Sequence, residues 1–473
     1  MTTKPHAVTP AAAEFVQSLR YDELSEEALH ISRRCILDTM GLYVAGLTEH
    51  SIHILIEDAR DTGGREDATL LGAGAMKVPA PLAARVMGTA AHAHDWDDTQ
   101  VSHDPAHVYG LLMHPSAPPL TAALVMAQKV GGIDGRELLT AFHAGYEVAC
   151  KVSEWTKPDL YRRGLHSSGV VGTLGAAATA ARLLGLDQAH IATALGIAGS
   201  MASGIRANFG TMTKPLHVGR ACENGITAAL LAQRGYTADP EILDGRWGFP
   251  TVLGGGFSEE KLSEGFGNPL TMVNPGVSIK PYPSGILTHQ SMDAMRDLVL
   301  EHDLKPEEVE RIDFFAANNI IEPIRYPIAR NHLQAKFSMP ALLAMMVIRR
   351  QAGRREFTDE FVGGDAMQSM QQRTHVHLDP EIEAMGFDLI RSRIEVTTKD
   401  GRKLVQWADE RYRGGPSKPM TDAEVEEKFR LCTEGLLDGA RQRDVIDRIW
   451  AIEKTEDVDA LIGAIQLNAP VHE

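Results

Sequence analysis

Between Ser25 and about residue 234 the chain repeats one pattern: apolar residues at three-to-four spacing, closed off by glycine. That spacing gives each segment a single apolar stripe, which a helix must bury against its neighbours. The first run, through Leu29, Ile31, Cys35, Ile36 and Met40, opens on Ser25-Glu26-Glu27, the acidic start of a helix. Similar runs predict helices at about 82–94, 118–130, 136–156, 168–185, 187–203 and 218–234, with stops at Gly131-Gly132, Gly164 and Gly235. The runs from 136 to 203 are rich in Ala and Gly. Small residues let helix axes approach closely, so a compact bundle is expected.

From about 270 the character changes. Pro275, Pro281 and Pro283 break the helical pattern, and Val309 to Ala316 reads as a strand. Arg393 to Thr398 alternates, and Lys399-Asp400-Gly401-Arg402 is a hairpin turn before Leu404 to Trp407. Helices at 285–303 and 338–350 fall between these strands. After Pro419 helical runs return at 421–438, 441–453 and 456–467. The fold class expected is mainly α: an all-helical domain over 1–265, completed by 408–473, with a smaller α/β lid domain inserted over 266–407.

Composition narrows the function. Against 47 Lys and Arg stand 63 Asp and Glu, a formal charge of −16, which disfavours nucleic acid as a partner. An acidic protein that binds anionic metabolites needs a local pocket of basic groups. Cys35, Cys150, Cys222 and Cys432 are far apart and form no CxxC pair, so neither a zinc knuckle nor a disulfide framework is indicated. Met1 to Pro10 lacks the apolar core of a signal peptide, and the most apolar stretch, Gly169 to Leu186, contains Arg182. A cytoplasmic, membrane-free protein is expected.

Three polar clusters interrupt the apolar runs. The first is His92-Ala93-His94-Asp95-Trp96-Asp97-Asp98-Thr99, followed by His103, Asp104, His107 and His114. On a helix, Asp95, Asp98 and Thr99 would share a face, with His92 one turn earlier. A metal-dependent hydrolase reading takes His92, His94 and Asp95 as ligands, yet the chain has no HxHxDH or HExxH. A solvated acidic helix end is the bland alternative. The second cluster runs from Arg206 through Thr213-Lys214-Pro215-Leu216-His217 to Arg220, a loop opening a helix and suited to anions. The third is Lys280-Pro281-Tyr282-Pro283-Ser284-Gly285. Together the last two supply the basic pocket that the acidic whole requires. No GxxxxGK[ST], GxGxxG or GxSxG is present.

Asp95-Trp96-Asp97-Asp98-Thr99 with His114-Pro115-Ser116, then Thr213 to Arg220, then Lys280 to Ser284 resemble the 2-methylcitrate dehydratase (MmgE/PrpD) family, as do Ala228 to Thr237 and Ala335 to Ser338. That family also contains cis-aconitate decarboxylase and iminodisuccinate epimerase. The resemblance implies a helical domain built from both chain ends, an α/β lid, a homodimer, and a site between domain and lid that needs no cofactor or metal. It carries site positions onto Asp95, Thr99, His114, His166, Lys214 and Lys280, with Tyr326 near a lid tyrosine of some members. Two departures stand out: a long interval from Thr99 to His114, and Gly285 where many relatives have Cys.

The chemistry expected is proton transfer beside a carboxylate of a small di- or tricarboxylate. Lys214 and Lys280 would clamp the developing charge, helped by Arg206 or Arg220. His114 and His166 are the candidate acid and base, because imidazole titrates near working pH. Asp95 would orient one of these groups and Thr99 would bind substrate or water. A hydro-lyase is the preferred reading, with epimerase or decarboxylase chemistry as alternatives. A non-catalytic helical scaffold is the reading from outside enzymology.

Overall fold

The computed structural model describes residues 7–102, 113–157, 159–258, 261–386 and 389–469. Its centre is the helix Ser167–Leu183, a run of Gly, Ala, Val and Thr that is buried almost throughout. Around it pack the helices Ala117–Val130, Gly135–Trp155, Gln188–Met201 and Thr213–Gln233. Asp134 and Asp187 cap two of these by accepting from the N–H groups of Glu137 and His190. The small residues do what their composition predicts. A Cβ on Gly145 would lie 2.4 Å from Gly175 O across the crossing, and one on Gly219 would lie 2.3 Å from Arg85 O. These helices touch backbone to backbone.

The chain's last helices join the same core. Asp422–Thr433 packs on Glu26–Gly46, and Met420 to Leu467 contribute to one apolar cluster with Val8 to Ile279. A second apolar cluster gathers residues from Tyr282 to Ala408. Here the helices His289–Glu301 and Met339–Arg349 pack beside a four-stranded sheet ordered Thr374–Leu378, Val309–Ala316, Ser392–Thr398, Lys403–Trp407. Val309–Ala316 runs parallel to the first and antiparallel to Ser392–Thr398. The expected hairpin closes at Lys399 to Arg402, and Ser392–Thr398 alternates buried and half-buried positions as its sequence requires. The strand Thr374–Leu378 was not foreseen: Val376 and Leu378 alternate with His375 and His377, but over only five residues, and both are exposed.

Two boundaries differ from expectation, and both matter for the site. The helix Ala80–His92 stops at His92. Asp95 then takes a positive φ of 53°, which no right-handed helix allows, so Asp95, Asp98 and Thr99 do not share a helix face. The helix expected at 218–234 begins at Thr213 instead, with Pro215 tolerated in its first turn. Thr99–Gln100 pairs with Val277–Ser278 in a two-residue antiparallel ladder, which carries Lys280 to the 92–99 segment. Among the described residues no helix is long and apolar enough to cross a membrane, and all four cysteines are buried thiols.

Candidate active site

The segment after His92 is an irregular loop held by three buried lysines from distant parts of the chain. Lys336 Nζ donates to Ala93 O at 2.9 Å, Lys280 to Asp95 O at 2.9 Å and Lys428 to Trp96 O at 2.7 Å. Loop carbonyls without helical partners need donors, and ammonium groups are the strongest available. Each lysine also has a carboxylate beside it: Lys336 lies 3.7 Å from Glu49, Lys428 2.6 Å from Asp38 and Lys280 2.9 Å from Asp95. The clamp fixes the backbone that aims Asp95.

Asp95 is the hub of the cavity. Its Oδ1 lies 2.8 Å from Lys214 Nζ, 2.9 Å from Lys280 Nζ and 3.6 Å from His114 Nε2. Burial pushes its carboxyl up, but Lys214 and Lys280 outweigh that and hold it well below the usual carboxylate range. Lys214 is pulled down by burial, against the attraction of Asp95. Two ammonium groups on one carboxylate leave a net positive charge facing the cavity. That surplus suits an anion.

The histidines are organised by Asp97 rather than by Asp95. Asp97 Oδ1 lies 2.8 Å from His92 Nδ1 and 3.3 Å from His114 Nδ1. Although burial pushes Asp97 up, His114 and His92 hold it well below its ordinary value, so it accepts from both rings. The backbone N–H of His114 donates to Ser168 Oγ at 2.9 Å. Burial lowers His92 to about 3 against the pull of Asp97, and burial with Lys214 takes His166 well below the normal imidazole range. His166 Nδ1 lies 3.1 Å from His217 Nδ1.

Part of this cluster lines one cavity of about 100 Å³. Asp95, Thr99, His114, His166, Lys214 and Lys280 all face it, and Thr99 Oγ1 is buried there with no partner among the described residues. Sequence reasoning missed the N-terminus of the central helix, where Ser167 and Ser168 open onto the same space. A helix start places free N–H groups and the positive end of the dipole where a carboxylate would sit. The signal was present in Leu165-His166-Ser167-Ser168-Gly169, hydroxyls opening a Gly- and Ala-rich run. Apolar groups also line it: Phe209, Ile286, Leu287, Ile324 and Phe337, with the Phe209 and Phe337 rings 5.1 and 5.4 Å from Lys214 Nζ.

Other candidates lie elsewhere. His94 turns away, with Nε2 3.0 Å from Ala45 O and Nδ1 3.3 Å from Glu49, so His92, His94 and Asp95 do not form a ligand set. Nitrogens of His92, His114 and His166 do come within 4.8 Å of one another. Lys214 stands beside them, however, and its charge opposes a divalent ion there. Arg206 stacks on the Tyr161 ring at 3.7 Å and donates to Tyr161 O, outside the cavity wall that Tyr161 itself lines. Arg220 is exposed and pairs with Glu223 at 2.7 Å. Neither arginine reaches the cavity. Tyr326 donates to Phe209 O at 3.3 Å instead of lining it. Gly285 does line it, and a Cβ there would meet Ile324 Cδ1 at 3.3 Å. The stretch from His103 to Leu112, expected to shape the pocket wall, lies outside the described residues.

Comparison with known proteins places this geometry. The chain is 29% identical over 471 residues to a human cis-aconitate decarboxylase, covering 98% of this chain and 95% of the relative. It is 28% identical to the mouse protein of the same name, covering 96% and 91%. A cis-aconitate decarboxylase of Aspergillus terreus (strain NIH 2624 / FGSC A1156) matches at 23% identity over 98% of this chain and 96% of its own length. The MmgE/PrpD N-terminal domain matches residues 11–261 and the MmgE/PrpD C-terminal domain residues 282–452, so the chain belongs to the MmgE/PrpD family.

Proposed function

We propose that this protein is a cofactor-independent lyase that generates carbanion character beside a carboxylate of a small di- or tricarboxylate. The observation that carries the reading is the Asp95–Lys214–Lys280 cluster, a buried site with surplus positive charge on one wall of the cavity. The substrate's carboxylates face Lys214, Lys280 and the start of the Ser167–Leu183 helix. The developing negative charge is stabilised by fixed ammonium groups, which act strongly in a water-poor site. Thr99 supplies the hydroxyl that orients one carboxylate.

Decarboxylation of an unsaturated tricarboxylate such as cis-aconitate is the preferred reaction, ahead of the dehydration expected from sequence. The wall of Phe209, Ile286, Leu287, Ile324 and Phe337 supports it, because a carboxylate pressed against apolar groups loses hydration and leaves more readily as neutral CO2. Dehydration is the second reading. It draws on His114 and His166 both facing the cavity, since water loss needs a base for the C–H proton and an acid for the hydroxyl. The inserted α/β segment over 266–407 acts as the lid in this proposal, and the homodimer remains part of it. Light scattering on the purified protein checks the dimer.

The test is proton NMR in deuterated water over unsaturated, hydroxy- and amino-polycarboxylates. Decarboxylation leaves a product one carbon shorter carrying one deuteron, dehydration leaves a new vinyl signal, and epimerisation exchanges a proton without changing mass balance. Turnover of none of these acids would overturn the proposal.

A further inference from the structure

His217 has no part in the scheme so far, and the geometry of its pair with His166 is specific. His166 lines the cavity and is 3% exposed, while His217, on the helix Thr213–Gln233, is 9% exposed. Their Nδ1 atoms are 3.1 Å apart, a distance that requires one proton between them, since two bare nitrogens would repel. Gly204 holds the pair in place. Its carbonyl accepts from His166 N at 3.0 Å, and a Cβ on it would lie 3.3 Å from both the His166 Cβ and the His217 ring. Among the described residues the Nε2 of neither ring has a hydrogen-bond partner, and neither atom is among the buried, unpaired polar atoms. His166 lines the cavity and His217 does not, so the small exposed area of His217 lies away from it.

We propose that His217 is the outer member of a two-histidine proton relay that lets neutral His166 give its Nε2 proton to the reacting carbon by handing it another at Nδ1. The inference rests on the lyase reading, because decarboxylation consumes a proton: C–CO2⁻ breaks to give CO2 and a carbanion, whose electron pair takes H⁺. The steps balance. A solvent proton binds His217 Nε2, the Nδ1 proton of His217 crosses to His166 Nδ1, and the Nε2 proton of His166 passes to the carbanion carbon. Each ring ends neutral in its other tautomer. The pair resets once product has left and the cavity holds water: water reprotonates His166 Nε2, the Nδ1 proton returns to His217 through the same hydrogen bond, and His217 Nε2 loses its proton to solvent, so each turnover takes up one proton in all. Lys214 is the charged group facing both rings, and it disfavours a lasting imidazolium, so the proton must pass rather than stay. His217 is thus a positioning and relay residue that need not touch substrate.

His217→Ala and His217→Gln test this together. The relay predicts a kcat at least 10-fold lower with KM within about 2-fold, a larger solvent deuterium isotope effect, and partial rescue of His217→Ala by imidazole but not of His217→Gln. Unchanged kcat in either soluble variant, or loss that imidazole does not restore in His217→Ala, overturns it. Nitrogen-15 spectra of histidine-labelled protein give an arm that needs no substrate. The relay predicts one ring of the pair protonated at Nδ1 and the other at Nε2, and two Nε2–H tautomers overturn it even if the protein turns over none of the acids. Failure of the lyase reading alone leaves the spectral result standing.

Discussion

At the scale of single residues the site depends on Asp95 more than on any histidine. Removing its charge leaves Lys214 and Lys280 to repel one another in a buried space, and breaking a buried ion pair costs about 3–5 kcal/mol. Asp95→Asn is expected to lower kcat by about 100-fold or more, about 2.7 kcal/mol in the barrier; an activity within a few-fold of wild type contradicts the hub assignment. Asp98 gives a separate pH signature. Burial raises it to about 7 against the hydrogen bond from Ser116, so its native pKa exceeds the unfolded value. A raised carboxyl stabilises the fold while protonated, and that contribution is lost as pH rises from about 4 through 7. The difference corresponds to roughly 4 kcal/mol at most. Asp98→Asn cannot ionise, so wild type should lose melting temperature relative to this variant between pH 5 and pH 8. Parallel melting curves across that range contradict it.

At the scale of elements, the lysine clamp is the device that links distant segments to the 92–99 loop. Lys428→Met strands Asp38, itself raised to about 6 by burial despite Lys428, and removes the donor to Trp96 O. The single variant should lose about 3–5 kcal/mol of stability. Adding Asp38→Leu should recover most of that stability but little of the activity, because the loop carbonyl stays without its donor; full recovery of both contradicts a positioning role. The close crossings make a second prediction. Gly145→Ala forces a methyl onto Gly175 O and should cost about 1–3 kcal/mol or more in denaturant unfolding, whereas a neutral effect contradicts the backbone contact. The helices, the 309–316 strand and the 399–402 hairpin were legible because periodicity and turn residues are local signals. The conformation of the 92–99 loop was not. It is set by Lys336, Lys280 and Lys428, which sit far away in sequence, and a positive φ at an aspartate has no compositional mark. For the same reason Lys214 and Lys280 were readable from their motifs, while Arg206 and Arg220 were placed by proximity in sequence and the fold turned them elsewhere.

At the scale of the whole molecule, an acidic chain builds a locally basic interior. Residues from both apolar cores converge on one cavity: Asp95, His114, His166 and Lys214 from the helical part, Ile286, Leu287, Ile324 and Phe337 from the part carrying the sheet. Both parts supply polar and apolar lining, since Lys280 comes from the 266–407 segment and Phe209 from the helical part. The most direct test is incubation of the wild-type protein and Lys214→Ala with cis-aconitate in deuterated water, following CO2 release and deuteron incorporation. The account predicts CO2 and a singly deuterated five-carbon product from wild type, with a rate at least 100-fold lower in a Lys214→Ala variant that melts within a few degrees of it. Equal rates in the two proteins would contradict the account.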